Sequence, residues 1–288
     1  MIQLSGAHPR ALANVGDLLR YEFMQHAFEA GTVVAIVAGI VGYFVILRSL
    51  AFAGHALSHI GFAGAAGAVV IGASPVAGLL AFTVVAAAAM GLLGRRLHGR
   101  DVAIGIVLAW ALGLGVLFLS LYSGYATEAY ALLFGEILGI SSRDVLITAL
   151  TAGVTLLALA VLYRPLLFAS LDEDVAEARG VPVRAIGVAF MVLLALAVSE
   201  AVQFVGVLLI FALLVTPAAI AQRLTSRPPV GVALSAALAL LFTWAGLTIS
   251  FYSSYPVSFF ITTIAFFSYL CVRAAAVIQA RRSLRITS

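Results

Sequence analysis

Long runs of apolar residues, separated by short segments rich in arginine or other polar residues, follow one another along the whole chain. Nine of these runs approach the roughly 20 residues that a helix needs to cross the hydrocarbon core of a bilayer. They cover residues 31–47, 54–73, 76–94, 102–121, 145–163, 185–198, 204–221, 230–249 and 257–272. The pattern predicts an all-α integral membrane protein, a polytopic helical bundle of about nine transmembrane helices.

The connections between the runs are too short for a separate soluble domain. We expect a lead-in over residues 1–29, a transmembrane domain over residues 30–276 and a basic cytoplasmic tail over residues 277–288. The lead-in mixes charged and apolar residues, and no basic start precedes an uncharged core, so no secretory signal peptide is evident. It forms either an amphipathic helix on the membrane surface or a disordered segment.

Composition supports the membrane class and excludes several functions. Hydrophobic residues make up 64% of the chain and charged residues 10%, whereas soluble proteins average about 25% charged. All 16 basic residues are arginine, and a P-loop needs a lysine on the phosphates, so this chain does not bind ATP in that way. The single cysteine, Cys271, excludes an internal disulfide and a site of several thiolates.

Arginine-rich connections predict the orientation of the bundle, because short cytoplasmic loops carry an excess of basic residues. Residues 95–100, 164–184, 223–227 and the tail contain arginine, whereas residues 121–128, 200–203 and 250–256 do not. We therefore expect a cytoplasmic C-terminus and, with nine crossings, an external N-terminus. Residues 129–140 are too short to cross and are expected to form a re-entrant or interfacial helix. If that segment or the first run is misjudged, the count becomes eight or ten.

Two histidines stand four residues apart near the start of the second apolar run, His55 and His59. On a helix both imidazoles lie on one face, and an ionisable residue within a membrane span marks a functional site by default. Imidazole suits zinc and copper, while carboxylate and water suit manganese, so the pair favours a zinc transit site. The alternative is a pair of hydrogen-bonded packing residues between helices.

Three further polar residues are candidates for contact with a cation. Glu200 and Gln203 are expected at the outer mouth of adjacent spans, and Glu136 lies near the short segment 129–140. Carboxylates at an external entrance raise the local concentration of cations. They are equally compatible with ordinary interfacial positions.

One connection predicted to be cytoplasmic, residues 171–184, contains four of the twelve acidic residues. Asp172 or Asp174 is expected to cap a short helix whose first turn is acidic, and Gly180 and Pro182 to end it. Such a helix is either a capped connector or a rigid element that docks on a separate motor subunit.

Four motifs, which follow one another along the chain in the order typical of the family, resemble the permease subunits of ABC-type zinc and manganese importers, the ABC-3 family. Residues 54–61 read Gly-His-Ala-Leu-Ser-His-Ile-Gly, similar to the family's Gly-Asp-x-Leu-Ser-His-Ala. Residues 133–138 read Leu-Phe-Gly-Glu-Ile-Leu, and residues 204–221 resemble the family's Val-Gly-x-Leu-Leu and Pro-Ala-Ala-x-Ala blocks. The acidic connection, with Ala-Arg-Gly-Val at residues 178–181, resembles the family's coupling region.

The resemblance implies a type II ABC importer-like permease that is a homodimer and not an enzyme. ATP hydrolysis then occurs on separate P-loop ATPase chains, and an external metal-binding protein delivers the metal. It also implies that His59 contacts the metal and that Glu136 matches a family segment, while His55 replaces the family's usual aspartate. The residues it assigns to ATPase coupling are Asp172, Asp174, Glu177, Arg179 and Gly180.

We expect no tightly bound cofactor, with zinc as the transported metal and manganese or iron as alternatives. Two other classes remain open at this point. A secondary ion-coupled transporter is also polytopic, but no convincing internal repeat is present. A membrane metalloenzyme uses histidines at this spacing, but the sequence has no HExxH or similar cluster.

Overall fold

The computed structural model describes residues 20–93, 97–121, 139–207, 210–253 and 255–286, and within these ranges every regular element is a helix. The all-α prediction is confirmed. The ten helices are α1 (Glu22–Leu47), α2 (Ala51–Val70), α3 (Pro75–Leu93), α4 (Leu97–Leu121), α5 (Ser142–Leu171), α6 (Glu173–Ala178), α7 (Val183–Val205), α8 (Ile210–Leu224), α9 (Pro228–Phe251) and α10 (Val257–Ile286).

The expected nine crossings are not confirmed. Seven helices in the described ranges are long and apolar enough to cross a membrane, namely α1, α3, α4, α5, α7, α9 and α10. Helix α8 has only 15 residues. Helix α2 is long enough at 20 residues, but its two histidines and several glycines lower its hydropathy, and it is not among the seven. The chain is a multi-pass membrane protein, and seven of its described helices have the length and apolarity of a membrane span.

Several boundaries differ from those expected from the sequence. Helix α1 already begins at Glu22, within the segment assigned to the lead-in, and α10 continues to Ile286, within the segment assigned to the tail. Most of the predicted re-entrant segment, including Glu136, lies outside the described residues.

Helices α1 and α7 form the centre of the bundle. In each, 67% of the most apolar stretch is buried, against 17% in α4 and α5 and 11% in α10. Helix α1 packs against α5, α7, α8 and α9, while α2 packs against α3, α4, α7 and α8. The outer helices therefore present most of their apolar surface outward, as expected for helices that face lipid.

Glycines allow the central helices to approach each other at backbone distance. A Cβ atom added at Gly42 of α1 would collide with the carbonyl oxygen of Leu214 in α8. One added at Gly39 would lie 2.6 Å from Cα of Ala236 in α9. Gly64 of α2 and Gly78 of α3 face each other in the same way. Because lipid supplies little hydrophobic drive between helices, close packing of this kind holds them together.

Hydrogen bonds across helix pairs reinforce this packing. Ser235 Oγ of α9 donates to the carbonyl oxygen of Gly39 at 2.6 Å. Gln222 Nε2 of α8 donates to the carbonyl oxygen of Tyr43 at 2.9 Å. Both bonds end on α1, which is therefore held by glycine contacts and by polar side chains of its neighbours.

Three helices end in the same turn, with one residue at positive φ after the last helical turn. That residue is Ser49 after α1 (φ 55°), Gly72 after α2 (φ 71°) and Gly180 after α6 (φ 81°). At each site the next N–H bonds to the carbonyl five residues earlier, which is the Schellman pattern. Glycine takes this conformation without steric cost, so Ser49 is the unusual case.

We predict that Gly42→Ala destabilises the protein, because the added methyl group meets a backbone carbonyl that cannot rotate away. Overpacking of this kind costs about 1–3 kcal/mol. Thermal unfolding of the detergent-solubilised protein measures the loss. The matched control is Gly153→Ala on α5, where an added Cβ meets nothing within 4 Å. Equal melting temperatures for the two variants would contradict the proposed contact.

Candidate functional site

Helix α2 is buried around most of its circumference and is accessible along one stripe. Ala53, Ala56 and Leu57 are fully buried, whereas Phe52 is 39% exposed and both histidines are half-buried. Just before the first histidine, a Cβ atom added at Gly54 would lie 3.0 Å from Leu214 Cδ2 in α8 and 3.9 Å from Leu194 Cδ1 in α7. The small residue lets this face of α2 lie close to both helices, while the stripe that carries the histidines stays partly accessible.

The two imidazoles are neighbours, as the i, i+4 spacing predicted. The ring centroids of His55 and His59 are 4.7 Å apart, and the ring planes lie at 80° to each other. An ion about 2.1 Å from one nitrogen of each ring fits between them after a rotation of the side chains. Ser58 lies between them in sequence. Its side chain is buried, and its hydroxyl donates a hydrogen bond to the carbonyl of His55 at 2.7 Å, so Ser58 is not part of the accessible stripe.

An aromatic residue of α8 lies beside the histidine pair. The ring of Phe211 meets His55 edge to face at a centroid distance of 5.5 Å and is 39% exposed. Nothing in the sequence pointed to this contact, because the two residues are 156 positions apart and Phe211 belongs to an ordinary apolar run. Aromatic edges exclude water from one side of an imidazole without offering a ligand.

The sequence predicted Glu200 at the outer mouth of adjacent spans. In the structure its side chain lies inside the bundle. It is 4% exposed and lies between α7 and α5, where Thr155 Oγ1 donates to its Oε1 at 3.5 Å. Its second oxygen, Oε2, has no hydrogen-bond partner within the described residues. The sequence indicated a polar residue near a helix end but not the direction of its side chain.

Gln203 lies two residues before the end of α7, and its place at an outer entrance stays a prediction. It is half-buried, and its Nε2 donates to the carbonyl of Ser199 in its own helix at 3.1 Å. Within the described ranges, no group of three or more His, Cys, Asp or Glu side chains is close enough to hold a metal ion. The structure therefore brings together the two histidines and leaves Glu200 and Gln203 outside that pair.

The acidic connection folds as predicted from its capping residues. Asp172 accepts a hydrogen bond from the backbone N–H of Val175 at 2.9 Å and so caps α6, and Gly180 at positive φ ends the turn after it. The polar residues assigned to ATPase coupling, Asp172, Asp174, Glu177 and Arg179, are all exposed. Ala176 is fully buried and packs in a small cluster with Ala169 of α5 and Val183 of α7. Helix α6 thus presents charge outward while one residue anchors it.

Comparison with known proteins agrees with this architecture. The family model of the ABC 3 transport family matches residues 20–276. The chain is 36% identical over 235 residues to the manganese transport system membrane protein MntC of Halalkalibacterium halodurans, covering 81% of this chain and 80% of that protein. It is 33% identical over 238 residues to the manganese import system permease protein ScaB of Streptococcus parasanguinis, covering 82% and 85%.

Two solved structures share the fold. PsaBC from Streptococcus pneumoniae, in complex with Fab, matches with a TM-score of 0.80 and 32% identity, covering 90% of this chain and 93% of that one. A putative metal-chelate type ABC transporter in an inward-facing conformation matches with a TM-score of 0.68 at 16% identity, covering 92% and 91%, and shows the fold alone. With a family match across nearly the whole chain, relatives above 30% identity and a shared bundle, this chain belongs to the ABC 3 transport family.

Proposed function

We propose that this chain is the permease subunit of an ATP-driven importer that moves a divalent transition metal across the cytoplasmic membrane. The observation that carries the proposal is the pair His55 and His59, whose rings are 4.7 Å apart on an accessible stripe of a helix otherwise buried in the bundle. Family membership supports the transport role. The same membership disfavours the secondary transporter and the metalloenzyme.

The described residues of a single copy offer only part of a metal site. Two imidazoles supply two ligands, and the described residues contain no third histidine, cysteine or carboxylate beside them. We infer that the permease works as a homodimer whose second copy covers the stripe of Phe52, His55 and His59. Incomplete coordination also suits transport, because an ion must bind weakly enough to leave.

We propose manganese as the first candidate metal, because two relatives that match about 80% of the chain carry manganese in their names. Zinc, which the histidine pair favoured, gains no support from these relatives. It remains the second candidate on the chemistry of the donors, since two imidazoles suit zinc better than manganese.

The energy for transport is proposed to come from a separate P-loop ATPase that docks on α6, and an external metal-binding protein is proposed to deliver the ion. Six residues long, α6 exposes its acidic side chains and is anchored through Ala176 to the ends of α5 and α7. A load applied to its exposed face therefore reaches two long helices of the bundle. In this proposal α6 and the C-terminus lie on the cytoplasmic side, as the arginine-rich connections indicate.

Replacing His59 by alanine is expected to lower metal uptake at least about tenfold. The change removes one of the two imidazole ligands, and a loss of about 1.4 kcal/mol of binding free energy already corresponds to a factor of ten. His55→Ala is expected to act in the same direction. Uptake of radioactive manganese and zinc by cells that lack other importers measures the effect. His26→Ala is the matched control, because that half-buried histidine lies on α1 beside Ser142. Normal uptake by His59→Ala at normal protein levels would refute the transit site.

The choice between metals is testable with His55→Asp, which restores the aspartate that the family resemblance leads us to expect. A carboxylate suits manganese better than imidazole does. We expect the variant to keep manganese uptake. The zinc concentration that halves manganese uptake is expected to rise about tenfold. An unchanged zinc concentration would show that His55 does not contact the ion.

Reversing charge on α6 is expected to weaken ATPase docking while leaving the histidine pair intact. In the double variant Asp174→Lys, Glu177→Lys, we expect the amount of ATPase that copurifies with the permease to fall about tenfold, because opposed charges at an interface become like charges. Glu29→Lys, at an exposed acid near the start of α1, is the control. Unchanged copurification would contradict docking on α6.

A further inference from the structure

Arg48 occupies the turn between α1 and α2, at the end of the bundle where α6 also lies. It is the C-cap residue of α1, and its side chain is half-buried. Its Nη1 donates to Ser170 Oγ of α5 at 3.1 Å, although the two residues are 122 positions apart in the chain. An arginine of a short turn thereby reaches the helix end that leads directly into α6.

The contact continues into the backbone of α5. Ser170 Oγ accepts from Arg48 and donates to the carbonyl of Leu166 at 2.5 Å, so the hydroxyl is held from both sides. On the other side of the guanidinium, a Cβ added at Gly187 would lie 3.8 Å from Arg48 Nη2. The charged group therefore lies between the last turn of α5 and the start of α7, the two helices joined through α6.

Electrostatics favours this position. The C-terminal end of a helix carries partial negative charge, and Arg48 lies at the end of α1 and beside the last turn of α5. A half-buried guanidinium is screened less than an exposed one, so both helix ends attract it more strongly than a surface pair would. The planar fork of arginine also holds donors on separate nitrogens in a fixed geometry, whereas lysine has a single ammonium nitrogen.

Ser170 is tied closely to α6. It precedes Asp172, the cap of α6, by two residues, and the carbonyl of Phe168 accepts the backbone N–H of Asp172 at 3.2 Å. Ala176 then anchors α6 against Ala169, one residue before Ser170. A displacement of α6 must therefore displace Ser170 or break this small cluster.

Arg48 is tied equally closely to the histidine helix. The turn of three residues contains Ser49 at positive φ and is closed by the bond from the N–H of Leu50 to the carbonyl of Val45 at 2.8 Å. Helix α2 begins at Ala51, and His55 follows Arg48 by seven residues, about 10 Å along a helix. A pull on the Arg48 side chain is thus applied at the base of the helix that carries both imidazoles.

We propose that Arg48 is a positioning residue that couples α6 to the histidine helix α2, through Ser170. Movement of α6 reaches α2 along this hydrogen bond, independently of packing between the transmembrane helices. The inference rests on the proposed function, because it assigns Arg48 a part in transmitting the force of ATP hydrolysis to the metal site.

The test compares metal transport with ATP hydrolysis in the complete complex reconstituted in vesicles. Arg48→Ala is expected to assemble and to hydrolyse ATP, but to move about tenfold less metal per ATP, since a hydrogen bond to a charged group is typically worth a factor of this size or more. Ser170→Ala removes the other partner and is expected to lower the same ratio. The double variant is expected to be no worse than Arg48→Ala alone.

Two further variants separate coupling from general structural damage. Arg48→Lys keeps the positive charge but lacks the planar guanidinium. The metal moved per ATP is expected to lie between the values of Arg48→Ala and the wild type. Arg143→Ala removes an exposed arginine in the first turn of α5, about 40 Å of helix away from Ser170, and is expected to leave the ratio unchanged. Assembly of every complex is checked by gel filtration.

The outcomes distinguish the two proposals. A normal ratio of metal to ATP in Arg48→Ala overturns the coupling role, and so does a parallel loss of transport and hydrolysis with an unchanged ratio. Losses that simply multiply in the double variant overturn the route through Ser170. If the wild-type complex moves none of manganese, zinc and iron, the proposed function itself fails, and the inference fails with it.

Discussion

Contact of glycine with backbone at the centre of the bundle is the constraint on which the rest of this structure depends. In lipid the helices gain little from burying apolar surface, so they associate through close packing and through hydrogen bonds between helices. Gly39 and Gly42 bring α1 to within backbone distance of α9 and α8. With α1 fixed in this way, α8 lies beside α2, and Gly54 lets α2, the helix that carries both histidines, approach α8 and α7. The position of the histidine helix is thus a consequence of where small residues let helices touch.

Patterns of local origin predicted much of this arrangement. The apolar runs identified the helices, the spacing of His55 and His59 placed both rings on one face, and the cap at Asp172 with Gly180 bounded α6. These features depend on residues within one or two helical turns of each other. Their physical basis is helix periodicity and the hydrogen bonding of helix ends, which a sequence displays directly.

Contacts between distant helices were not predictable in this way. The buried position of Glu200, the ring of Phe211 beside His55 and the bond from Arg48 to Ser170 each join residues from different helices. Apolarity alone does not decide which face of a membrane helix turns inward, since lipid and protein interior are almost equally apolar. Helix α2 is not among the seven membrane-span helices of the described ranges for a related reason, because its two histidines and its glycines lower its hydropathy.

The shortness of α8 has an electrical consequence for an ion at the histidine pair. Its 15 residues span about 22 Å, against about 30 Å for the hydrocarbon layer. The cost of moving a charge into an apolar medium depends on how far the charge is from water on either side. An ion that crosses beside Phe211 would meet a shorter apolar helix than the seven long ones, and a shorter apolar path lowers the dielectric barrier to a divalent cation.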